Sequence, residues 1–326
     1  MLARIAHELF WLGRDLTRAE HTARTLDGAF HADIAGAPGE RSISLTWDAV
    51  LTIIGGKPLG PGEDALEVAA HPTVRPLGRA ETARLLTLDA GSQASIVSCV
   101  ARARERGRIL RDVISTEMWE ALNSFYLALA RYDLAAAMQT GPYSVYQEVK
   151  ERCALFWGLV DRTMLRDDGR AFLEAGGRIE QADMVLRMLL VTVPGAAAPD
   201  GHESEAIALL HSVGGAQAYR RAVRDAPTVV PVVRFLLYDG SYPGSVASSV
   251  AALRDALADA DAQPRSSQPV LRLERLIADL ELQRRTPRGS LGLTGILERV
   301  QGELELIDRD IGDRYFVIAA LAAVHL

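Results

Sequence analysis

GRDLTRAEHTARTL, residues 13–26, falls where the apolar N-terminus MLARIAHELFWL should continue as a core helix. It carries three arginines, a histidine and two acids, and few large apolar side chains. The stretch returns without a gap as GGRIEQADMVLRML, residues 176–189. Gly13 falls on Gly176, Ala19 on Ala182, Arg24 on Arg187 and Leu26 on Leu189, while Leu16 meets Ile179 and Glu20 meets Asp183. Small residues and one acid–base pair survive in both copies. On a helix, Glu20 and Arg24 share a face, as do Asp183 and Arg187. Glycine inside a helix costs about 1 kcal/mol relative to alanine, so its recurrence signals the close approach of another backbone. Each copy therefore reads as a helix with a small-residue contact point beside a polar pair. Either the pairs are solvated, or the two copies face one another and share a semi-buried charge network.

Around this repeat, helical periodicity dominates. Apolar residues recur at three- and four-residue spacing over 3–31, 92–131, 143–166, 170–192, 243–260, 268–284 and 291–325. Shorter helices are expected at 43–54, 80–88, 203–224 and 227–238. The strand candidates are VLTII and TVVPVV, the second interrupted by Pro231. Pro/Gly/Ser clusters at 35–41, 55–64, 193–203, 262–269 and 286–290 mark the breaks. The expectation is an all-α helical bundle over 1–326, a single domain with a possible internal division near 193–203.

A chain of 326 residues with 48% hydrophobic and 24% charged residues can bury a large core. Its net charge of −6 argues against nucleic acid as a partner. The basic residues are nearly all arginine, with lysine only at Lys57 and Lys150; arginine suits bidentate carboxylate or phosphate contacts. Cys99 and Cys153 make neither a disulfide framework nor a zinc site. No signal peptide is expected, and the terminal IAALAAVHL is too short to span a bilayer, so no membrane partner is expected and the cytoplasm is the default.

Motifs that carry cofactor or metal chemistry do not complete. HELFW has Trp11 where a zinc protease helix needs its second histidine, and GGKP at 55–58 lacks the spacing of a phosphate loop. GSLGLTG (289–295) reads as a helix-entry loop. No metal and no cofactor is expected. His21 is the one histidine inside the repeat. Arg104, Arg108 and Arg111 form a stripe, with Glu117 just beyond it. The stripe is either a solvated face or meets Glu20, Glu180 and Asp183 in the bundle interior.

The opening MLARIAHELFWLGRDLTRAEHTARTLDGAFH resembles the start of the Alpha-E family, bacterial helical proteins named for a Glu-Arg motif that typically reads GRYLERAENTAR. The resemblance continues through ARERGRILRDVISTEMWEALNSFYLAL (103–129), DRTMLRDDGRAFLEAGGRIEQADMVLRMLL (161–190), VVRFLLYDGSYPGSV (232–246) and IGDRYF (311–316). This chain departs from the family at the motif itself. The first Glu-Arg is Thr17-Arg18, the second is Glu180-Gln181, and Gly177 stands at the position of Arg14. If the motif builds one joint site, Arg18 and Glu180 still supply one arginine and one glutamate; if each motif is independent, both are damaged.

The resemblance implies an accessory role beside a circularly permuted ATP-grasp ligase, often with a transglutaminase-like peptidase encoded nearby. The setting would be ATP-dependent amide-bond formation on a peptide or amino-acid metabolite. The alternative is an enzyme whose acid–arginine site acts on a carboxylate-bearing peptide or acyl-phosphate. In either case the candidate polar seam is Arg14, Arg18, Glu20, Arg24, Arg104, Arg108, Arg111, Glu117, Glu180, Asp183 and Arg187, with Glu20, Arg24, Asp183 and Arg187 expected in one cluster.

Overall fold

A computed structural model describes residues 1–35, 45–55, 78–133, 136–137, 141–193, 203–286 and 290–316. Among these residues the chain forms thirteen α-helices and no strand. In chain order they are α1 (Ala3–Ala35), α2 (Trp47–Gly55), α3 (Arg79–Leu88), α4 (Ile96–Ile109), α5 (Thr116–Arg131), α6 (Tyr143–Thr163), α7 (Asp168–Thr192), α8 (Glu203–Ser212), α9 (Ala216–Ala222), α10 (Val229–Tyr238), α11 (Val246–Ala260), α12 (Gln268–Arg285) and α13 (Ser290–Tyr315).

Polar caps decide several boundaries that periodicity alone places wrongly. The helix expected over 92–131 is two, because Ser95 and Ser115 each accept the backbone N–H three residues on and start a new helix. The helix expected over 203–224 breaks at Gly214, whose φ of +69° suits a residue without a Cβ. VLTII lies in α2 and TVVPVV in α10 rather than in strands. Pro231 is tolerated in the first turn of α10, where its missing N–H is not needed. GSLGLTG is helical from Ser290, where α13 begins, and Gly289 lies outside the described residues. The terminal IAALAAVHL, Lys57 and most of the breaks at 35–41, 55–64 and 193–203 lie outside the described residues.

The repeat of the opening stretch belongs to a duplication of the whole helical order. α1 and α7 lie side by side and run in the same direction, in the register in which their sequences match. The N-terminal amine of Met1 is 3.6 Å from Asp168, the Gly176 Cα faces the Phe10 carbonyl, and Arg18 reaches Glu180. α4 packs on α1 as α11 packs on α7, and the α4–α5–α6 sequence of neighbours returns as α11–α12–α13. The entries to α4 and α11 share their chemistry. Asp89 Oδ1 accepts from the Gly91 N–H at 2.8 Å, and Asp239 Oδ1 from the Ser241 N–H at 2.9 Å. Ser95 caps α4 through the Ser98 N–H, and Ser245 caps α11 through the Ser248 N–H. The halves also interlock: α2 packs on α7 of the second half, and α8 packs on α1 of the first. The helix α9 has no counterpart.

Glycine makes the central contact possible. A Cβ on Gly13 would run into the Leu173 carbonyl oxygen, and one on Gly176 into the Phe10 carbonyl oxygen. The matched glycines thus let the two backbones touch, and Leu9, Leu12, Leu16, Ala19, Leu173, Ile179, Ala182 and Leu186 close around them, all fully buried. No helix among the described residues is long and apolar enough to cross a membrane.

Candidate functional site

The α1–α7 contact separates two polar regions of opposite character. The first is a sealed seam. Arg14 is 1% exposed and donates from Nε to Glu180 Oε2 at 2.9 Å and from Nη1 to Asp308 Oδ1 of α13 at 2.8 Å. Its guanidinium lies 4.6 Å from the Trp11 ring centroid. Arg18 donates from Nε to Glu180 Oε1 at 2.5 Å. Asp183 accepts from Gln301 Nε2 at 2.8 Å and pairs with Arg187 at 2.9 Å. Three arginines thus face three carboxylates, which is the balance that burial of charge demands.

Burial and pairing set the protonation of these acids. Burial would raise the Glu180 carboxyl, but Arg18 and Arg14 overcome it and hold the pKa down at about 2. Burial wins at Asp183, where Arg187 offsets it only in part and the neighbouring Glu180 charge adds to it, so its pKa is raised. Asp308 is raised as well, by burial that Arg14 does not fully offset. Glu180 and Asp183 have no solvent exposure. The seam therefore ties the two halves together, with its carboxylates shut away and only the edges of Arg18 and Arg187 reaching solvent.

The second region is an open cleft of about 550 Å³ on the other side of the same two helices. Its walls include Thr17, Glu20, His21 and Arg24 of α1, Trp157 of α6, Gly177, Arg178 and Gln181 of α7, and the Tyr242–Gly244 turn before α11. Glu20 Oε1 holds Arg24 at 2.9 Å, and the pair is partly exposed. Arg170 binds both Glu174, at 2.6 Å, and Asp161, at 2.9 Å. Gln181 is tied to the Pro243 carbonyl at 3.0 Å. Burial pushes His21 down to about 4, so its imidazole is neutral near pH 7, and its buried Nδ1 has no hydrogen-bond partner.

The repeat explains why one region is filled and the other open. Superposing the copies by sequence places Gly177 where Arg14 stands, Thr17 where Glu180 stands and Gln181 where Arg18 stands. The three residues that fill the seam thus have smaller or uncharged counterparts, and all three counterparts line the cleft. Trp157 lies against Gly177, within 2.8 Å of where a Cβ would be.

A family model described as a predicted alpha-helical domain with a conserved ER motif matches residues 1–316. The chain belongs to the Alpha-E family. No curated protein and no solved structure matches it. In this Alpha-E chain the two half-motifs meet, because Arg18 from the first copy pairs with Glu180 from the second across the helix interface.

Two expectations from the sequence need correction. Glu20 and Arg24 do not join Asp183 and Arg187: the first pair opens into the cleft, while the second is sealed against α13. In side-by-side helices running the same way, the matched faces of the two copies look in opposite directions. The Arg104–Arg108–Arg111 stripe does not enter the interior either. Arg108 is 59% exposed on Glu105, Arg104 bonds Asn123 and Glu105, Arg111 lies over the Trp119 ring, and Glu117 is exposed. The arginines of α4 that do reach α1 are Arg102 and Arg106. They hold Asp15 from both sides at 2.9 and 3.1 Å, and Arg106 also takes Glu8 at 2.7 Å. A helical-wheel reading finds them, since both flank the buried face marked by Cys99, Ala103 and Leu110, whereas Arg104 and Arg108 lie opposite it. Asp308 and Gln301 leave no signal in the sequence near the repeat.

Proposed function

We propose that this chain is a non-catalytic binding partner of a circularly permuted ATP-grasp ligase, presenting a peptide or amino-acid metabolite for amide-bond formation. The observation that carries the reading is the division of the polar residues. The carboxylate with the most charge around it, Glu180, is fully buried and locked between the buried Arg14 and the largely buried Arg18. Proton transfer at a reacting group needs a side chain within hydrogen-bond reach of it, and these are out of reach. Burial raises the thiols of Cys99, to about 11, and Cys153, away from the thiolate that nucleophilic attack requires. What remains accessible is a polar cleft of a size suited to a small ligand. The acids that line it, Glu20, Glu174 and Asp161, are engaged by Arg24 and Arg170, which favours a binding role, and the Alpha-E resemblance supplies the ligase setting.

The test is co-purification of the full chain with an ATP-grasp ligase from the same genome, followed by light scattering on the mixture. A stable complex, with ligase turnover raised when the chain is added, is the expected result. No association at micromolar concentrations, together with unchanged turnover, contradicts the partnership.

A further inference from the structure

The cleft presents one arginine without a carboxylate and one carboxylate oxygen without a donor. Among the described residues, Arg178 has no carboxylate partner, and its one side-chain bond is from Nη1 to the neutral Gln181 at 3.3 Å. The nearby acids Asp161 and Glu174 both pair with Arg170, and neither forms an ion pair with Arg178 among the described residues. Glu20 is the complement. Its Oε1 receives both Nε and Nη2 of Arg24, and among the described residues no donor reaches Oε2. Between helix turns stands His21, 7% exposed, with its Nδ1 unpartnered. In the register of the two helices, Arg178 is level with Asp15, five residues before Glu20. Along the helix axes their Cα levels are about 7.5 Å apart, and because the two residues also stand on different helices the span suits a short peptide rather than a single amino acid.

We propose that the cleft binds a short-peptide zwitterion, with its carboxylate on Arg178 and its ammonium group on the free oxygen of Glu20. Arginine offers a planar fork that matches a carboxylate in two parallel bonds, and Glu20 supplies the acceptor that a protonated amine needs. The site exists because Thr17, Gly177 and Gln181 stand where the other copy of the repeat has Glu180, Arg14 and Arg18. In that copy, ion pairs occupy the equivalent space. The inference deepens the binding role proposed above by naming the ligand class, and its test uses this chain without the ligase.

The experiment is ligand-observed NMR titration of the full chain with glycylglycine, N-acetylglycylglycine and glycylglycinamide, with inorganic phosphate as a simple anion. Glycylglycine is expected to bind, and each end-blocked form to bind at least tenfold more weakly. Arg178→Gln should weaken glycylglycine at least tenfold and bring it level with the amide. The double variant Thr17→Glu with Gln181→Arg, which rebuilds the missing ion pair inside the cleft, should abolish binding while the protein stays folded. Absence of glycylglycine binding, equal binding of the blocked forms or of phosphate, or affinity unchanged in both variants overturns the proposal. Peptide binding without a ligase complex removes the partnership and leaves the ligand class standing. A ligase complex without peptide binding does the reverse.

Discussion

His21 shows how one residue's surroundings translate into behaviour. It stands on α1 between Glu20 and the buried face, and burial lowers its pKa from 6.5 to about 4. Between those values the unfolded chain binds a proton that the folded chain does not. Stability is therefore fully present above pH 6.5 and is lost as pH falls toward 4. The linkage amounts to about 2 kcal/mol between pH 7 and pH 5. Denaturant titrations of wild type and His21→Gln at the two pH values should differ by this amount, with the flatter profile in the variant. Equal slopes would place His21 in solvent. Glu180 acts only at lower pH, because its depressed pKa costs stability as pH falls from 4.5 toward 2, while the raised Asp183 and Asp308 act in the opposite sense. The sequence singles out His21 as the one histidine inside the repeat and names Glu180 and Asp183 as seam candidates, but their burial, which sets these protonation states, has no local signal.

Among the helices, glycine substitution separates packing from propensity. Gly158 in α6 and Gly302 in α13 have nothing within 4 Å of where a Cβ would stand. Gly158→Ala and Gly302→Ala should therefore stabilise the protein, by about 0.5–1 kcal/mol each. Gly176→Ala has the opposite sign, because its methyl group would enter the Phe10 carbonyl oxygen and push α1 from α7. A loss of about 3 kcal/mol or more is expected in thermal or denaturant melts. Stabilisation by Gly176→Ala would mean that the helices do not touch there. The role of this glycine was legible, since Gly13 and Gly176 match in a gapless repeat of helical period. The wider duplication also leaves a trace, because Asp89, Ser95, Ser98, Val100 and Ala101 match Asp239, Ser245, Ser248, Val250 and Ala251 without a gap, but this second match does not share the spacing of the first and so does not extend it in one register. The arginine stripe misled for a related reason: charges were grouped by mutual spacing, while the apolar face of α4 decides which of them turn inward.

For the whole molecule, the central claim is that the two copies of the repeat build one shared seam, with a half-motif from each. Its long-range partners were beyond reach of sequence reading, because Arg14 meets Asp308 and Asp183 meets Gln301 through a helix at the far end of the chain. The interlock of α2 and α8 across the halves follows from the same duplication and has no local pattern. A double-mutant cycle on Arg18 and Glu180 tests the seam most directly. Glu180→Gln leaves Arg18 without a carboxylate and Arg14 with Asp308 alone, and should cost about 3–5 kcal/mol. Arg18→Met together with Glu180→Gln should cost less than the sum of the singles, with a coupling of about 2 kcal/mol. The cycle on Glu20 and Arg187, which lie in separate regions, should show coupling below about 0.5 kcal/mol. That pattern is the result predicted by a seam shared between the copies; negligible coupling between Arg18 and Glu180, or strong coupling between Glu20 and Arg187, would contradict it.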